Sequence, residues 1–257
     1  MKRATIQTVY DWINDIAPFT GQEEFDNSGL QAGKPDDPVR RILLALDITP
    51  GVVSEARKLG CELIISHHPL IFSPIASLRQ DQYVPRILLL LMQGGIGLIS
   101  AHTNLDRSLY SGSMAVAKRF NLRDVRQADD YTVVGNLPEM LPAVEVQALL
   151  SQSLKSTVVR YGEAGKEIRT LAIACGAYSE GFRAAKALGA DAFLTGEVRH
   201  HHAVEAADTN LVLFEGGHWA TENVMLEEIS LGLQSRLNAL DYLVQVHVSR
   251  QIPYVRE

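Results

Sequence analysis

Apolar residues recur along the chain at two periods, and the switches between them predict its elements. Ile6, Val9, Tyr10 and Ile13 stand at helical spacing, predicting an amphipathic helix over residues 5–16 that ends before Pro18. Residues 25–33 (Phe-Asp-Asn-Ser-Gly-Leu-Gln-Ala-Gly) are rich in turn formers and read as a loop. Short apolar runs of buried-strand type follow: Leu63-Ile64-Ile65, then Ile96-Gly97-Leu98-Ile99, then Leu211-Val212-Leu213-Phe214. Helical spacing between and after them predicts helices near residues 84–93, 108–120, 144–154, 198–207 and 219–231. At the end, Tyr242, Val244, Val246 and Val248 stand at alternate positions, predicting a last strand over 241–249 that either half of the chain can take.

The pattern repeats. Residues 39–46 read as a strand, 52–59 as a helix ended by Gly60, and 63–66 as a buried strand; residues 167–174, 182–188, Gly189 and 192–195 repeat that order at constant spacing, Ile42 matching Leu171 and Gly60 matching Gly189. A glycine just past each helix suits the left-handed closing residue, and Lys58 and Lys186 suit the negative end of each helix dipole. Strand, helix, strand alternation predicts the α/β class, with mainly parallel or mixed sheets flanked by helices. Two copies predict two similar lobes, residues 1–128 and 129–240, joined near residues 127–142 and separated by a cleft. Residues 241–257 can return to the first lobe.

Composition narrows the function. The chain of 257 residues is 46% hydrophobic and 21% charged with a net charge of −6. That balance argues against a nucleic-acid binder that works by phosphate neutralisation. Residues 1–18 lack a signal-peptide core and the longest apolar stretch is too short for a bilayer, so a cytoplasmic protein without a membrane role is expected. Cys61 and Cys175 adjoin apolar runs and read as buried, reduced thiols.

Three buried-strand runs end in residues that bind metals: Ser66-His67-His68-Pro69, Ala101-His102-Thr103-Asn104-Leu105-Asp106 and Gly217-His218-Trp219-Ala220-Thr221-Glu222. Open α/β sheets place ligands at the carboxyl ends of their strands. His67 and His68 would face apart in a continuing strand, but a turn before Pro69 lets both imidazoles converge. His218 and Glu222 share a helix face. Asp106 serves equally as a helix N-cap or as a carboxylate ligand. Three histidines and two carboxylates exceed the needs of one catalytic zinc and suit two ions with a bridging carboxylate. A water held by such a pair ionises near neutral pH and becomes a nucleophile. Because the donors come from both copies, the site is expected between the lobes.

His102 can orient a ligand from behind. Glu197, in Thr195-Gly196-Glu197, can accept a proton or hold a ligand. His200, His201 and His202 read first as a solvated helix face, with His201 kept as a substrate contact. Residues 162–167 have the wrong glycine spacing for a phosphate loop, with Glu167 where Ser or Thr is required.

Together with Asp26-Asn27-Ser28-Gly29-Leu30-Gln31, these clusters resemble the GTP cyclohydrolase 1 type 2 homologues, the NIF-three-like proteins, over residues 26–222. The resemblance implies a dinuclear centre held by His67, His68, Asp106, His218 and Glu222, with Glu222 bridging, in a ring-shaped homohexamer. It implies the short form, since residues 127–142 leave no room for the domain that longer members insert. It also implies hydrolysis of a small-molecule, nucleotide-like substrate with GTP as the named candidate, although no guanine-reading or triphosphate-clamping motif is present. A metal-dependent phosphoesterase and a non-catalytic metal-binding scaffold remain as alternatives. Histidine and carboxylate donors without thiolates admit zinc, manganese, iron or nickel.

Overall fold

The computed structural model describes residues 2–254. Its elements run in chain order as β1 (Ala4–Thr5), α1 (Ile6–Ile16), β2 (Gly29–Ala32), β3 (Pro38–Val39), β4 (Arg41–Ala45), α2 (Pro50–Leu59), β5 (Leu63–Ser66), α3 (Tyr83–Gly94), β6 (Gly97–Ser100) and α4 (Thr103–Asp106). Then follow α5 (Gly112–Arg119), β7 (Arg123–Gln127), β8 (Val133–Pro142), α6 (Ala143–Leu154), β9 (Val159–Tyr161), β10 (Glu167–Ala174), α7 (Phe182–Ala187), β11 (Ala192–Thr195), α8 (His200–Asp208), β12 (Val212–Glu215) and α9 (His218–Glu222). The last two are α10 (Met225–Ala239) and β13 (Gln245–Val248). No helix of the described residues is long and apolar enough to cross a membrane.

Local chemistry accounts for the helix limits. Thr5 caps α1 in a reciprocal pair with Thr8, and Ile6, Val9, Trp12 and Ile13 form its buried face. Thr49 caps α2, Pro50 fits its first turn, and Gly60 closes it at φ 68°, where a side chain would strain the backbone.

The chain divides into two compact units, Met1–Ser108 with Leu226–Glu257, and Leu109–Met225. Periodicity alone divides it at 128 and 240. The difference arises because α5 packs on β8, β10 and α9, and β13 pairs with β4. The first unit holds a five-stranded sheet in the order β13-β4-β5-β6-β2, and the second a six-stranded sheet in the order β7-β8-β10-β11-β12-β9. In each, three parallel strands form the centre (β4-β5-β6 and β10-β11-β12) and an antiparallel strand closes one edge, β2 beside β6 and β9 beside β12. The sheets are therefore mixed α/β. Leu43, Ile64, Ile87, Leu91 and Leu98 fill one core; Phe182, Phe193, Ala172, Ala185 and Leu213 fill the other. Each fully buried Leu, Ile or Phe contributes roughly 1.5–3 kcal/mol.

Some expectations need correction. The loop expected over 25–33 contains β2. All four of its residues are half-buried and its register slips between Leu30 and Ala32, so no alternation marks it. The bridge expected over 127–142 is largely strand. β8 carries Gly135, Asn136 and Pro138, yet it pairs with β10 because a bulge places residues 137–140 opposite Arg169 alone, where Pro138 is excused from the ladder. The helix expected over 219–231 breaks at residues 223–224 into α9 and α10. The last strand shortens to β13, which pairs in parallel with β4 in the first unit. Residues 255–257 of the expected tail lie outside the described residues.

Candidate metal centre

In the first unit, the ends of β5 and β6 bring three imidazoles together. His67 follows β5 and is 1% exposed; its ring lies 5.0 Å from that of His68 and 5.1 Å from that of His102. Each of the three offers a ring nitrogen, and these nitrogens lie within 4.8 Å of one another. The Asp106 carboxylate, at the end of α4, stands 3.6 Å from His67 Nε2. The backbone explains the convergence of adjacent histidines. His67 N and His68 N donate to the carbonyls of Ala45 and Leu46 at the end of β4, so the chain still follows the sheet as its side chains turn inward. Ser66 Oγ donates to the His68 carbonyl at 2.9 Å and bonds Ser100 Oγ across the sheet at 2.8 Å.

The histidines share a hydrogen-bonding rule. His67 Nδ1 lies 2.9 Å from the Ala101 carbonyl, which can only accept, so Nδ1 donates and the neutral ring carries its lone pair on Nε2. His68 Nδ1 lies 2.8 Å from Asp47 Oδ1, and His102 Nδ1 lies 2.9 Å from Asp26 Oδ1. Metal-binding imidazoles are held in this way, with the remote nitrogen donating to a carboxylate or a backbone carbonyl.

Asp26 does a second job. Its Oδ2 accepts from Thr103 N at 3.0 Å and Thr103 Oγ1 at 2.5 Å, closing the start of α4, the helix that ends at Asp106. Burial alone would raise the Asp26 carboxyl. Hydrogen bonds from His102 and Thr103, with the nearby His102 charge, outweigh it and hold the group well below the usual carboxylate range.

The second unit builds a smaller set at the ends of β11 and β12. His218 Nδ1 lies 2.8 Å from Glu197 Oε1, and its Nε2 lies 3.1 Å from Glu222 Oε2, one turn further along α9. Glycines make room for this pair. A Cβ on Gly196 would stand 2.5 Å from the Gly176 carbonyl and 2.8 Å from His218 Cα. A Cβ on Gly176, whose φ is 69°, would run into the Glu222 carboxylate. Thr221 Oγ1 takes the Gly176 N–H at 3.3 Å, fixing that loop to α9.

Within the first unit, then, His67, His68 and Asp106 come together, with His102 beside them. Within the second, His218, Glu222 and Glu197 come together. Asp106 does not cap α5; Ser111 does. His200 and His201 are exposed on α8, as a solvated face requires. His202 departs from that expectation: it is buried, 2.7 Å from the Ser179 hydroxyl, and burial, aided by His201, pushes its imidazole pKa down. Asp47 escaped the sequence reading. It lies two residues past β4, on the same sheet edge as the histidines, and that position was the available signal. The three imidazoles of His67, His68 and His102 form a group that could hold a metal ion.

The sequence matches the family Duf34/NIF3 (NGG1p interacting factor 3) over residues 4–254. It is 32% identical over 243 residues to the GTP cyclohydrolase 1 type 2 homolog of Clostridium perfringens, covering 91% of this chain and 93% of the relative. It is 30% identical over 247 residues to the GTP cyclohydrolase 1 type 2 of Helicobacter pylori, covering 95% and 96%. The fold is similar to that of a Bacillus cereus protein related to NIF3, with a TM-score of 0.94 at 20% identity and full coverage of both chains.

Proposed function

The chain belongs to the Duf34/NIF3 family, and on that premise we propose that it is a hydrolase of a nucleotide-like small molecule that works with two divalent ions. The observation that carries the reading is the shared arrangement of four imidazoles. His67, His68 and His218 each spend Nδ1 on a carbonyl or carboxylate, which leaves Nε2 to bind an ion, and His102 is oriented in the same way beside them. His67, His68, Asp106, His218 and Glu222 would hold the ions, with Glu222 shared between them. The donor set fits zinc, manganese, iron or nickel. Such ions supply Lewis acidity and a water ionised near neutral pH.

The chain's own groups do the rest. Asp47, Asp26 and Glu197 fix the orientation of the imidazoles they accept from. Glu197 is 59% exposed at its side chain, so solvent reaches it. The names of the relatives make GTP the first substrate to test. Opening its purine ring adds one water at C8 to give a formamide, and a second water cleaves that formamide to formate and a free amine. The homohexamer and the cytoplasmic location that the resemblance implies belong to the same proposal, the first read out by light scattering.

The test begins with elemental analysis at metal saturation, where fewer than two ions per chain rejects the dinuclear centre. Metal-loaded protein is then offered GTP, other nucleotides and phosphodiesters, beside a His68→Ala/Glu222→Gln variant. Turnover on one substrate class, abolished in the variant, is the expected result. Two bound ions with no turnover on any substrate would mark a non-catalytic metal-binding protein.

A further inference from the structure

Two phenylalanines stand in solvent beside the first unit's histidines, and the metal donors do not explain them. Phe25 is 64% exposed and Phe72 48%. Their ring centroids are 6.3 Å apart and the planes tilt by 47°, forming an open aromatic pair. The edge of the Phe72–His102 contact brings that pair to the imidazole cluster, with centroids 6.3 Å apart at 79°.

The pair is held outward by its surroundings. Next to Phe72, the Ile71 backbone is gripped on both sides: Ile71 N donates to Gln31 Oε1 at 2.9 Å, and the Ile71 carbonyl accepts from Asn27 Nδ2 at 2.6 Å and Gln31 Nε2 at 3.3 Å. Next to Phe25, Asp26 is tied to His102 and Thr103. These bonds anchor the segments that carry both rings, and Asp26 ties the Phe25 segment to His102. Exposed aromatic surface kept rigid beside polar chemistry marks a place where a ligand supplies the missing cover. A recess of about 570 Å³ adjoins the same segments, lined by Gln7, Tyr10, Asn27, Ser28, Gln31 and Ile71. Its size suits a small molecule and its lining is largely polar.

We propose that Phe25 and Phe72 form a stacking platform for the planar nitrogen-heterocyclic ring of the substrate, the kind of ring a nucleotide carries. The proposal deepens the function argued above and rests on it for the reacting end of the molecule. A π-face recognises any flat heterocycle, which accounts for a nucleotide-like substrate without a guanine-reading motif. The recess would take the polar remainder.

The experiment measures binding, not turnover. GMP and ribose 5-phosphate are titrated calorimetrically into the full chain, metal-loaded and metal-depleted, as wild type, Phe72→Leu, Phe25→Leu/Phe72→Leu and Phe72→Trp. The GMP Kd is expected to rise about tenfold in Phe72→Leu, within the range that loss of a base–aromatic stack produces, further in the double variant, and to be restored in Phe72→Trp. Ribose 5-phosphate binding, weak or absent, stays unchanged throughout. An unchanged GMP Kd, equal weakening of both probes, or no GMP binding by wild type in either metal state overturns the platform. So does a fall in bound metal in Phe72→Leu, which would make the ring a support for His102 alone. A changed oligomeric state with unchanged GMP binding assigns the face to a second copy of the chain instead. Fewer than two ions with the GMP pattern intact removes the proposed function and leaves the platform standing.

Discussion

The two units carry the same strand and helix plan and use it differently at matching positions. In the repeat register, His67 matches Gly196, His68 matches Glu197 and Cys61 matches Ala190. Past β5, the first unit places two imidazoles and supports them with the carbonyl of Ala101 and the carboxylate of Asp47. Past β11, the second places a glycine and a carboxylate, and the backbone of the Gly176 loop occupies the space a side chain would need. The first unit therefore gathers its imidazoles at strand ends, whereas the second sets His218 and Glu222 on one turn of α9 pressed against bare backbone. A repeated scaffold fixes where chemistry can sit; the side-chain volume at two positions decides what sits there.

The sharpest way to break the comparison is to give the second unit side chains it cannot accommodate. Gly196→Ala and Gly176→Ala should each cost about 3 kcal/mol, read by urea denaturation, because the neighbours of both are backbone or a buried carboxylate. A loss within experimental error would show that the packing yields and that glycine is not required. Next comes Asp26→Asn. The start of α4 depends on this carboxylate, whereas Gly217 at the start of α9 offers no side-chain cap. The amide would set an N–H donor against donors, at about 2 kcal/mol. No equivalent polar cap is available to mutate in the second unit, so a null result would make the two short helices equally self-sufficient.

Third, the imidazole supports differ in exposure. Asp47→Asn should weaken metal binding about 50-fold and Glu197→Gln about tenfold, since Asp47 is 34% exposed at its side chain and Glu197 59%. Competition with a chelator measures both, and the reverse order would refute the argument from exposure. Smallest is Cys61→Ala, which installs the second unit's residue. Both positions are buried, so the cost is about 1 kcal/mol. Burial pushes the Cys61 thiol from 9.0 up to about 11, with Glu62 adding to the rise. The unfolded chain ionises first as pH rises. Stability from this group is thus full below pH 9 and is lost as pH climbs toward 11, a slope that Cys61→Ala should abolish.

Much of this was legible in the amino-acid order. The buried strands β5, β6, β11 and β12 announced themselves as unbroken apolar runs, and the polar residues after them marked a sheet edge before any sheet was known. Edge strands were harder. So were irregular ones: β2 pairs on one side only with a slipped register, while β8 lies between β7 and β10 but carries Gly, Asn and Pro and breaks register against both, so each imitates a loop. The role of Asp26 depends on contacts to residues 76 and 77 positions away, which local spacing cannot report. His202 looked solvated beside two exposed histidines; one residue further along α8 turns it toward Ser179.

The pairing of β13 with β4 has a consequence for synthesis. The Glu55 carboxylate after β4 is bonded by Ser249 and Arg250, 194 and 195 residues downstream. Until that late segment leaves the ribosome, the five-stranded sheet lacks an edge neighbour, while the whole of Leu109–Met225 has already emerged and can condense. The first unit's sheet can therefore gain its last strand only after the second unit's chain has been made.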